Sequence, residues 1–475
     1  MVPEKDLKKI ILCFFAFQPC RWRVSSRFSM RIIIFTKKLY KMSTNLITEL
    51  RWRGMVQDIM PGTEEQLTKE MTTGYVGFDP TADSLHVGNL LPIMMLVHLQ
   101  RAGHRPIALV GGATGMVGDP SGKSAERNLL DEATLQKNIA GVTKQLSRFL
   151  DFENGENKAL LVNNYDWMKN FSFLDFLRDA GKYISVNYMM SKDSVKRRLT
   201  PDENDTSASG MSFTEFSYQL LQGYDFVHLY KTFNCKLQFG GSDQWGNITT
   251  GTTLVRKMEG GEAFAFTCPL LTKADGGKFG KTESGTVWLD PARTSPFAFY
   301  QFWLNATDED AHKLIRFYTL LPEETIRQLE EEHAAAPHLR ALQKAIAAEV
   351  TTRVHGGEAL QRAMEATEIL FGKSSVEDLR KLTADEFAEA FAGVQQATIS
   401  KADLRAGLSM VDALSAKSGF LASNGEAKRE LKANAITVNK AKVAEDFSLT
   451  EADLINDRFI LLGKGKKTNF VLIAE

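Results

Sequence analysis

Cysteine is scarce in this chain of 475 residues, and its four occurrences are scattered. They stand at positions 13, 20, 235 and 268, without a CxxC pair and without a neighbouring set of histidines. A zinc site needs closely spaced thiolates or imidazoles, and a disulfide framework is typical of short secreted chains. We therefore expect no metal held by the protein and a reducing compartment, the cytoplasm.

Long hydrophobic runs are lacking as well. The apolar run at Ile10–Phe17 covers eight residues, whereas a membrane-spanning helix needs about 20. It follows Lys8 and Lys9, as in a signal peptide, but arginines rather than a small-residue cleavage site come next. We expect no association with a membrane.

The chain has no excess of charge of either sign, because 58 Lys and Arg balance 58 Asp and Glu. Residues 1–41 hold ten basic and two acidic residues, which leaves 48 basic and 56 acidic residues in 42–475. We expect residues 1–41 to lie outside the native protein, whose start would be Met42; a basic targeting peptide is the alternative. An acidic body that meets RNA needs local basic patches.

The most informative stretch that is present is Gly74–Asn89. It predicts a strand over Tyr75–Phe78, a turn at Asp79 and the start of an apolar helix over Leu90–Leu99. The N-terminus of such a helix carries unpaired N–H groups and the positive end of the dipole, which favours an anion. A phosphate-bearing ligand is one interpretation, and an ordinary strand–turn–helix is the other.

Strands and helices alternate up to about residue 265, which predicts a parallel, doubly wound sheet with ligands at the carboxyl ends of its strands. A hairpin is predicted to run through Phe264–Thr272 to a turn at residues 273–277. Residues from about 295 to 391 are predicted to be helical, and a capped helix and a strand–turn–strand follow from Ser423. We divide the chain into 42–290, 291–400 and 408–475.

Polar side chains cluster at three further places. Tyr218, Gln222 and Asp225 share one face of a helix predicted over Phe213–Gln222, where the alternative is a hydrogen-bonded helix end. A glycine-rich turn over Gly240–Asn247 carries an aspartate and a glutamine. A loop rich in glycine then carries three polar side chains that are otherwise typical of a solvated surface, namely Lys278, Lys281 and Thr282.

These stretches together resemble the class I aminoacyl-tRNA synthetases, in the form found in the tyrosyl-tRNA synthetase family. HVGN (86–89) is similar to the HIGH signature, and KFGKTESGTVWLD (278–290) contains the counterpart of the KMSKS loop. Four further motifs stand between them in the family's order: GGATGMVGDPSGK (111–123), SVNYMM (185–190), FTEFSYQLLQGYDF (213–226) and FGGSDQWGNIT (239–249). The likeness covers about residues 42–475.

The resemblance implies a Rossmann-like α/β catalytic domain, an α-helical anticodon-side domain and a C-terminal S4-like α+β RNA-binding domain. It also implies activation of L-tyrosine by ATP with Mg²⁺, transfer to tRNA(Tyr), and a homodimer. The implied catalytic residues are Thr81, His86, Lys278, Lys281 and Thr282. The implied ATP-binding residues are Gly77, Asp79, His86, Gly88, Asn89, Asp243 and Lys281.

The resemblance places the phenolic hydroxyl of tyrosine between Tyr75 and Asp225. It gives the rest of the amino acid to Asp119, Tyr218, Gln222 and Gln244. RNA contacts are implied for the basic side chains Lys428, Arg429, Lys432, Lys440 and Lys442, with a second cluster at Lys464, Lys466 and Lys467. A solvated lysine surface is the alternative for both clusters.

Two positions depart from the family's pattern. Asn89 replaces the second histidine of the HIGH signature, and Val76 stands where some relatives carry cysteine; its isopropyl group cannot hydrogen-bond a ribose hydroxyl. Two other functions compete with the tyrosine enzyme: a tryptophanyl-tRNA synthetase, and an RNA-binding relative without activity. An indole does not need the Tyr75–Asp225 pair, and a chain freed from catalysis is expected to lose some of the catalytic residues.

Overall fold

Residues 45–272 carry the elements of an α/β unit. The structure is a computed structural model that describes residues 45–121, 130–199, 211–272, 279–282, 285–371, 376–391, 394–465 and 468–475. The first elements, in chain order, are α1 (Leu46–Arg53), α2 (Thr63–Lys69), β1 (Thr73–Phe78), α3 (Leu90–Arg101), β2 (Arg105–Val110), α4 (Thr114–Val117), α5 (Glu132–Leu146), β3 (Leu160–Asn163), α6 (Tyr165–Met168), α7 (Phe173–Asp179), α8 (Val186–Met190), α9 (Asp193–Leu199), α10 (Phe213–Phe233), β4 (Cys235–Gly241), α11 (Trp245–Glu259) and β5 (Phe264–Cys268).

The five strands form one sheet in the order β3-β2-β1-β4-β5, and every neighbouring pair is parallel. Because the chain winds from β1 outward to β3 and then returns to β4 on the other side, the strand order reverses between β1 and β4. In such sheets ligands bind outside the carboxyl ends of the strands at this point. The predicted doubly wound parallel sheet is therefore confirmed.

The hairpin predicted to run through Phe264–Thr272 has its turn, residues 273–277, outside the described residues. Phe264–Cys268 is a single edge strand, β5, which pairs in parallel with β4. The helix α11 between them carries the chain back across the sheet, so the second strand starts at the same end as the first. The sequence pattern of a short apolar run does not distinguish an edge strand of this kind from a hairpin arm.

The two faces of β1 pack against different layers. Val76 and Phe78 belong to an apolar core with α3 and with helices of residues 296–363, whereas Tyr75 belongs to the core of the opposite face with Phe226. Successive side chains of a strand point to opposite faces, which explains this division. The site residues on β1 are thus held between two packed layers.

Helix α10 is longer than predicted, since it continues through Gly223 to Phe233. A Cβ atom at Gly223 would lie 2.8 Å from Cδ1 of Leu254 on α11. The glycine therefore allows α10 and α11 to pack closely and does not end the helix. Asn234, with a φ of 50°, ends it in the left-handed conformation.

Residues 279–390 begin with a two-stranded hairpin and continue as helices. The elements are β6 (Lys281–Thr282), β7 (Gly285–Thr286), α12 (Pro296–Leu304), α13 (Asp308–Tyr318), α14 (Glu323–Ala335), α15 (Ala341–His355), α16 (Gly357–Phe371), α17 (Val376–Leu379) and α18 (Ala384–Ala390). Arg53 joins α1 to this part, because its buried guanidinium donates to the carbonyls of Arg316, Thr319 and Leu321 at 2.8–2.9 Å.

The C-terminal part is an α+β unit. Its elements are β8 (Gln396–Ile399), α19 (Lys401–Arg405), β9 (Leu408–Ser409), α20 (Met410–Leu414), α21 (Asn424–Lys432), β10 (Ile436–Val438), β11 (Ala441–Lys442), β12 (Ser448–Leu449), β13 (Phe459–Lys464) and β14 (Thr468–Ala474). The main sheet has the order β11-β10-β13-β14-β8. Gln396–Ile399 follows the predicted helical stretch and forms β8, which pairs in parallel with the last strand of this sheet. Pairing with a strand some 70 residues later cannot be seen in the local sequence pattern.

Candidate active site

The HVGN turn holds the imidazole of His86 in one orientation. A short 3-10 turn at Val87–Asn89 leads into α3, and the Nδ1 atom of His86 accepts a hydrogen bond from the Gly88 N–H at 3.0 Å. The Oδ1 atom of Asn89 accepts from the His86 N–H at 3.0 Å. Because Nδ1 accepts, the neutral ring carries its proton on Nε2. Asn89, the departure from the HIGH pattern, therefore caps the turn.

Glycines leave room beside this turn. A Cβ atom at Gly88 would lie 2.8 Å from Cε1 of His86, so a side chain there would displace the imidazole. Gly77 is exposed although it lies in the central strand β1. Thr81 is exposed too, and its N–H donates to the Asp79 carbonyl at 2.9 Å. These predicted ATP-binding and catalytic residues thus line an open surface at the carboxyl end of β1.

The predicted phenol-binding pair is buried. Asp225 is 2% exposed and accepts hydrogen bonds from Asn164 Nδ2 at 3.0 Å and from Trp167 Nε1 at 2.9 Å. Burial raises the pKa of Asp225 to about 7 against these two donors, which favour the charged form, and the charge of Asp79 adds to the rise. This carboxyl group therefore titrates near neutral pH.

Tyr75 faces the same carboxylate. Its hydroxyl is buried and has no hydrogen-bond partner among the described residues. Burial, followed by the charge of Asp225, raises the pKa of Tyr75 well above its usual value. A buried hydroxyl without a partner carries a desolvation cost that a ligand group could remove. The pair is suited to a ligand hydroxyl.

A second polar group lies around Tyr218. Its hydroxyl donates to Oδ2 of Asp79 at 2.8 Å, and the Thr114 hydroxyl donates to Oδ1 of the same carboxylate at 2.7 Å. Burial and the charges of Asp79, Asp119 and Asp225 raise the pKa of Tyr218 well above its usual value. Three carboxylates around one phenol make this end of the pocket electronegative, which suits a ligand cation.

The remaining predicted side chains form a network with this group. Gln244 Nε2 donates to Asp119 Oδ2 at 2.7 Å, and Asn247 Nδ2 donates to Gln222 Oε1 at 3.1 Å. Asp243 stands in the 3-10 turn after β4. Burial, with a smaller contribution from the charge of Asp243, raises the pKa of the Cys268 thiol at the end of β5 to about 12. These residues lie at the strand ends beside the point where the strand order reverses.

The loop that carries the predicted lysines is anchored to the HVGN turn. The backbone of Lys281 and Thr282 forms β6, and Lys278 lies outside the described residues. Val87 N donates to the Val287 carbonyl at 3.0 Å, and Leu289 N donates to the Leu85 carbonyl at 2.8 Å. Two motifs that are far apart in the sequence therefore meet at one backbone pairing.

Sequence reasoning missed the side chains that orient the predicted ones. Asn164 and Trp167 hold the Asp225 carboxylate, and Thr114 holds Asp79. Asn164 follows directly after β3, so its place at the carboxyl edge of a parallel sheet was an available signal. Trp167 and Thr114 belong to helices of four residues, which are too short to show a helical periodicity in the sequence.

The predicted RNA-binding side chains do not have equivalent surroundings. Lys428, Arg429, Lys432 and Lys442 are exposed on α21 and β11. Lys440 is half-buried and donates to the Ile369 carbonyl at 2.5 Å, which joins the C-terminal sheet to α16. Lys464 forms ion pairs with Glu426 and Glu430 at 3.0 and 3.2 Å, and Lys466 and Lys467 lie outside the described residues.

The described ranges lack two other features. No helix in them is long and apolar enough to cross a membrane. No group of three or more His, Cys, Asp or Glu side chains in them is placed to hold a metal ion.

Comparison with known proteins identifies the two parts of the chain. The family model of tRNA synthetases class I (W and Y) matches residues 67–372, and that of the tyrosine–tRNA ligase SYY-like C-terminal domain matches residues 386–473. The tyrosine–tRNA ligase of Flavobacterium psychrophilum is 62% identical over 431 residues, which are 90% of this chain and 99% of that protein. The tyrosine–tRNA ligase of Porphyromonas gingivalis is 59% identical over 433 residues, 91% of this chain and 100% of that protein.

A solved structure supports the same assignment. The C-terminally truncated mitochondrial tyrosyl-tRNA synthetase of Aspergillus nidulans aligns with a TM-score of 0.63 and 29% identity, over 73% of this chain and 100% of that one. The resemblance and the fold class predicted from the sequence are confirmed by these matches. The chain belongs to the class I tRNA synthetases and, within them, to the tyrosine–tRNA ligase family.

Proposed function

We propose that this chain activates L-tyrosine with ATP, forming tyrosyl-adenylate and releasing pyrophosphate, and then transfers the tyrosyl group to the 3′ end of tRNA(Tyr). The observation that carries the proposal is the buried Tyr75 hydroxyl beside the Asp225 carboxylate. The phenol of tyrosine can donate to Asp225 and accept from Tyr75, so both buried groups are satisfied. Phenylalanine would leave them unsatisfied, and that cost opposes its binding.

The ammonium and carboxylate end of tyrosine fits the electronegative surroundings of Tyr218. The ammonium of tyrosine would meet Asp119, Tyr218 and Gln222, and Gln244 would stand near the carboxylate. The short bonds from Tyr218 to Asp79 and from Gln244 to Asp119 fix these side chains before the ligand arrives. Such preorganisation lowers the cost of binding.

The reaction itself needs positioning rather than a nucleophilic side chain. The carboxylate of tyrosine attacks the α-phosphorus of ATP, and pyrophosphate leaves as charge develops on its oxygens. Thr81 and the Nε2–H of His86 would donate to those oxygens from one side, with Lys278, Lys281 and Thr282 on the other. Gly77, Asp79, Gly88, Asn89 and Asp243 would hold the adenosine. Mg²⁺ would arrive with ATP as part of the substrate.

The experiment that tests this function is ATP–pyrophosphate exchange by the full chain, with each of the twenty amino acids in turn and no tRNA. Exchange with tyrosine alone is expected. Exchange with tryptophan would keep the reaction and reject the phenol pocket. No exchange with any amino acid, in protein shown to be folded by circular dichroism, would favour an RNA-binding protein without activity.

The pH dependence of tyrosine binding follows from Asp225. Bound tyrosine donates to the ionised carboxylate and so lowers the pKa of Asp225 in the complex below its value of about 7 in the unliganded protein. Tyrosine affinity is therefore expected to fall as the pH drops below 7, by up to about tenfold per pH unit. Equilibrium dialysis with labelled tyrosine measures this. An affinity that is constant between pH 8 and pH 5.5 would contradict it.

The exposed basic side chains of α21 support a tRNA contact in the C-terminal part. Replacing Lys428, Arg429 and Lys432 together with alanine is expected to raise the Kd for tRNA(Tyr) about 10- to 100-fold. The slope of log Kd against the logarithm of the salt concentration should fall by about two to three. Pyrophosphate exchange should be unchanged. Lys417→Ala is the control, because this lysine is paired with Asp403 at 2.7 Å. An unchanged salt dependence in the triple variant would reject the patch.

An exposed apolar surface supports the proposed homodimer. Leu174 on α7 is 75% exposed and Phe213 at the start of α10 is 67% exposed, and Phe173, Leu177, Val186 and Met190 are exposed as well. Large apolar side chains exposed in this number can form an interface, and a second copy of the chain is the partner we propose.

Charges introduced into this surface should separate the subunits. Leu174→Glu combined with Phe213→Glu is expected to weaken dimerisation about 1000-fold, because two carboxylates would be buried without partners. Sedimentation velocity over a concentration range measures the change. The control is Leu339→Glu, at an exposed leucine of the helical part that is 56% exposed. Dimers of unchanged stability would contradict the assignment.

Two expectations from the sequence also stand as proposals. Residues 42–290 are assigned to catalysis, residues 291–400 to a helical anticodon-side domain and residues 408–475 to RNA binding. The protein is proposed to be cytoplasmic.

A further inference from the structure

The segment after the lysine loop packs on the turn that carries His86. His86 and Trp288 form an isolated antiparallel bridge, flanked by the backbone hydrogen bonds of Val87 with Val287 and of Leu289 with Leu85. The Asp290 N–H also donates to the Ser84 hydroxyl at 3.1 Å. These backbone hydrogen bonds therefore fix the position of Trp288 beside His86.

The side chains of this region form a closed ring of contacts. The indole of Trp288 meets the His86 imidazole edge to face, with ring centroids 6.1 Å apart and planes at 68°. The Arg293 guanidinium lies 4.4 Å from the indole centroid, and its Nη2 atom lies 2.6 Å from Asp83 Oδ1. Asp83 precedes His86 by three residues, so the series of contacts from His86 through Trp288, Arg293 and Asp83 closes through the backbone.

Trp288 adds a constraint on the orientation of the His86 imidazole. The bond from Gly88 N to Nδ1 fixes which nitrogen accepts, and the contact with the indole constrains the plane of the imidazole. Trp288 lies against the ring, and Arg293 holds Trp288 through a cation–π contact. Asp83 in turn holds Arg293, while Lys137 occupies its other oxygen at 2.9 Å.

We propose that Trp288 and Arg293 are positioning residues for tyrosine activation, which hold the imidazole of His86 so that Nε2–H points at the phosphate oxygens as charge develops. This inference rests on the proposed function. Neither side chain needs to touch the substrate. Because the interaction of His86 matters most when the phosphate charge grows, its misplacement should lower the rate of activation and not the affinity for tyrosine.

The test is single-turnover formation of tyrosyl-adenylate, with tyrosine affinity measured separately by equilibrium dialysis. Trp288→Ala is expected to slow the step about 10- to 100-fold. Trp288→Phe keeps an aromatic ring against the imidazole and is expected to restore the rate to within about fivefold of the wild type. Arg293→Gln is expected to slow the step about three- to tenfold. Tyrosine affinity should stay within about twofold in all three variants.

A double-mutant cycle separates positioning from a merely structural effect. In a His86→Ala background, Trp288→Ala and Arg293→Gln should each change the rate by less than about twofold, since the group they position is absent. Losses that multiply instead would overturn the proposal. Lys137→Met is the control, because this lysine pairs with Asp83 Oδ2 whereas Arg293 lies at Oδ1, and it should change the rate by less than about twofold.

The outcomes also distinguish this inference from the function on which it rests. A wild-type chain that forms no tyrosyl-adenylate would overturn both. An active wild type with a multiplicative cycle would overturn only the positioning role. If Trp288→Ala fails to fold by circular dichroism, the same cycle with Trp288→Phe and Arg293→Gln decides the question, since their smaller losses must likewise vanish without His86.

Discussion

Replacing Asp225 with asparagine is expected to lower kcat/KM for tyrosine about 100- to 1000-fold while kcat/KM for phenylalanine stays within about threefold. The variant keeps the shape of the side chain but loses a charged acceptor for the phenol. In addition, one of the two donors that point at the carboxylate, Asn164 or Trp167, would face an amide NH₂ group and lose its partner. Phenylalanine has no hydroxyl to donate to the carboxylate, so its kcat/KM should change little.

Pyrophosphate exchange with the two amino acids in parallel measures this change as a ratio. Asp225→Ala should reduce the ratio further, because it removes both oxygens and opens a small cavity. Asp166→Asn is the matched control, since this exposed carboxylate lies next to Trp167 in the sequence and has no part in the pocket. A ratio of tyrosine to phenylalanine equal to that of the wild type would mean that Asp225 does not bind the phenol.

The same carboxylate links specificity to stability. The pKa of Asp225 rises from 3.8 to about 7 on folding, so between these values the folded state binds more protons than the unfolded state. The free energy of unfolding therefore falls as the pH rises through this window. A buried carboxylate of this kind destabilises the unliganded protein at neutral pH. Under the proposed function, bound tyrosine would offset that cost by donating to the carboxylate, and specificity would be obtained at the expense of stability.

The local elements of the catalytic core could be predicted from the sequence because their causes are local. The strand, turn and helix of Gly74–Asn89 follow from an apolar run, an Asp-Pro turn and an apolar helix that begins at a cap. The common face of Tyr218, Gln222 and Asp225 follows from helical spacing alone. In the structure all three residues lie on α10, and the charge of Asp225 acts on the Tyr218 hydroxyl.

The remaining features depend on contacts between distant parts of the chain. Gly223 resembles a helix end until the close approach of Leu254 is known. The sequence places Lys464 in a basic cluster for RNA, whereas the structure shows its ammonium paired with Glu426 and Glu430. Trp288 belongs to a motif, but its contact with His86 is set by a backbone pairing across some 200 residues. In each case the sequence supplies the residue and the tertiary packing supplies its role.

Substituting Lys281 with alanine is expected to slow formation of tyrosyl-adenylate about 100- to 1000-fold and to leave tyrosine affinity within about twofold. The hairpin β6–β7 that carries Lys281 is followed directly by residues bonded to the HVGN turn, at Val87 and Leu85. The backbone of Lys281 therefore lies in a hairpin that leads directly into the segment paired with the HVGN turn. An ammonium in this place is most useful when negative charge collects on the departing pyrophosphate, which is after tyrosine has bound.

Single-turnover kinetics and equilibrium dialysis together give the rate and the affinity that this argument separates. Lys236→Ala is the control, because that lysine stands at the amino end of β4 and pairs with Glu70 at 2.7 Å, away from the carboxyl edge where the ligands are placed. A rate loss confined to Lys281→Ala would show that charge near the HVGN turn, and not charge in general, supports the reaction. A large loss of tyrosine affinity in Lys281→Ala would instead mean that the loop contacts tyrosine. The assignment of Lys281 to the phosphates of ATP would then be wrong.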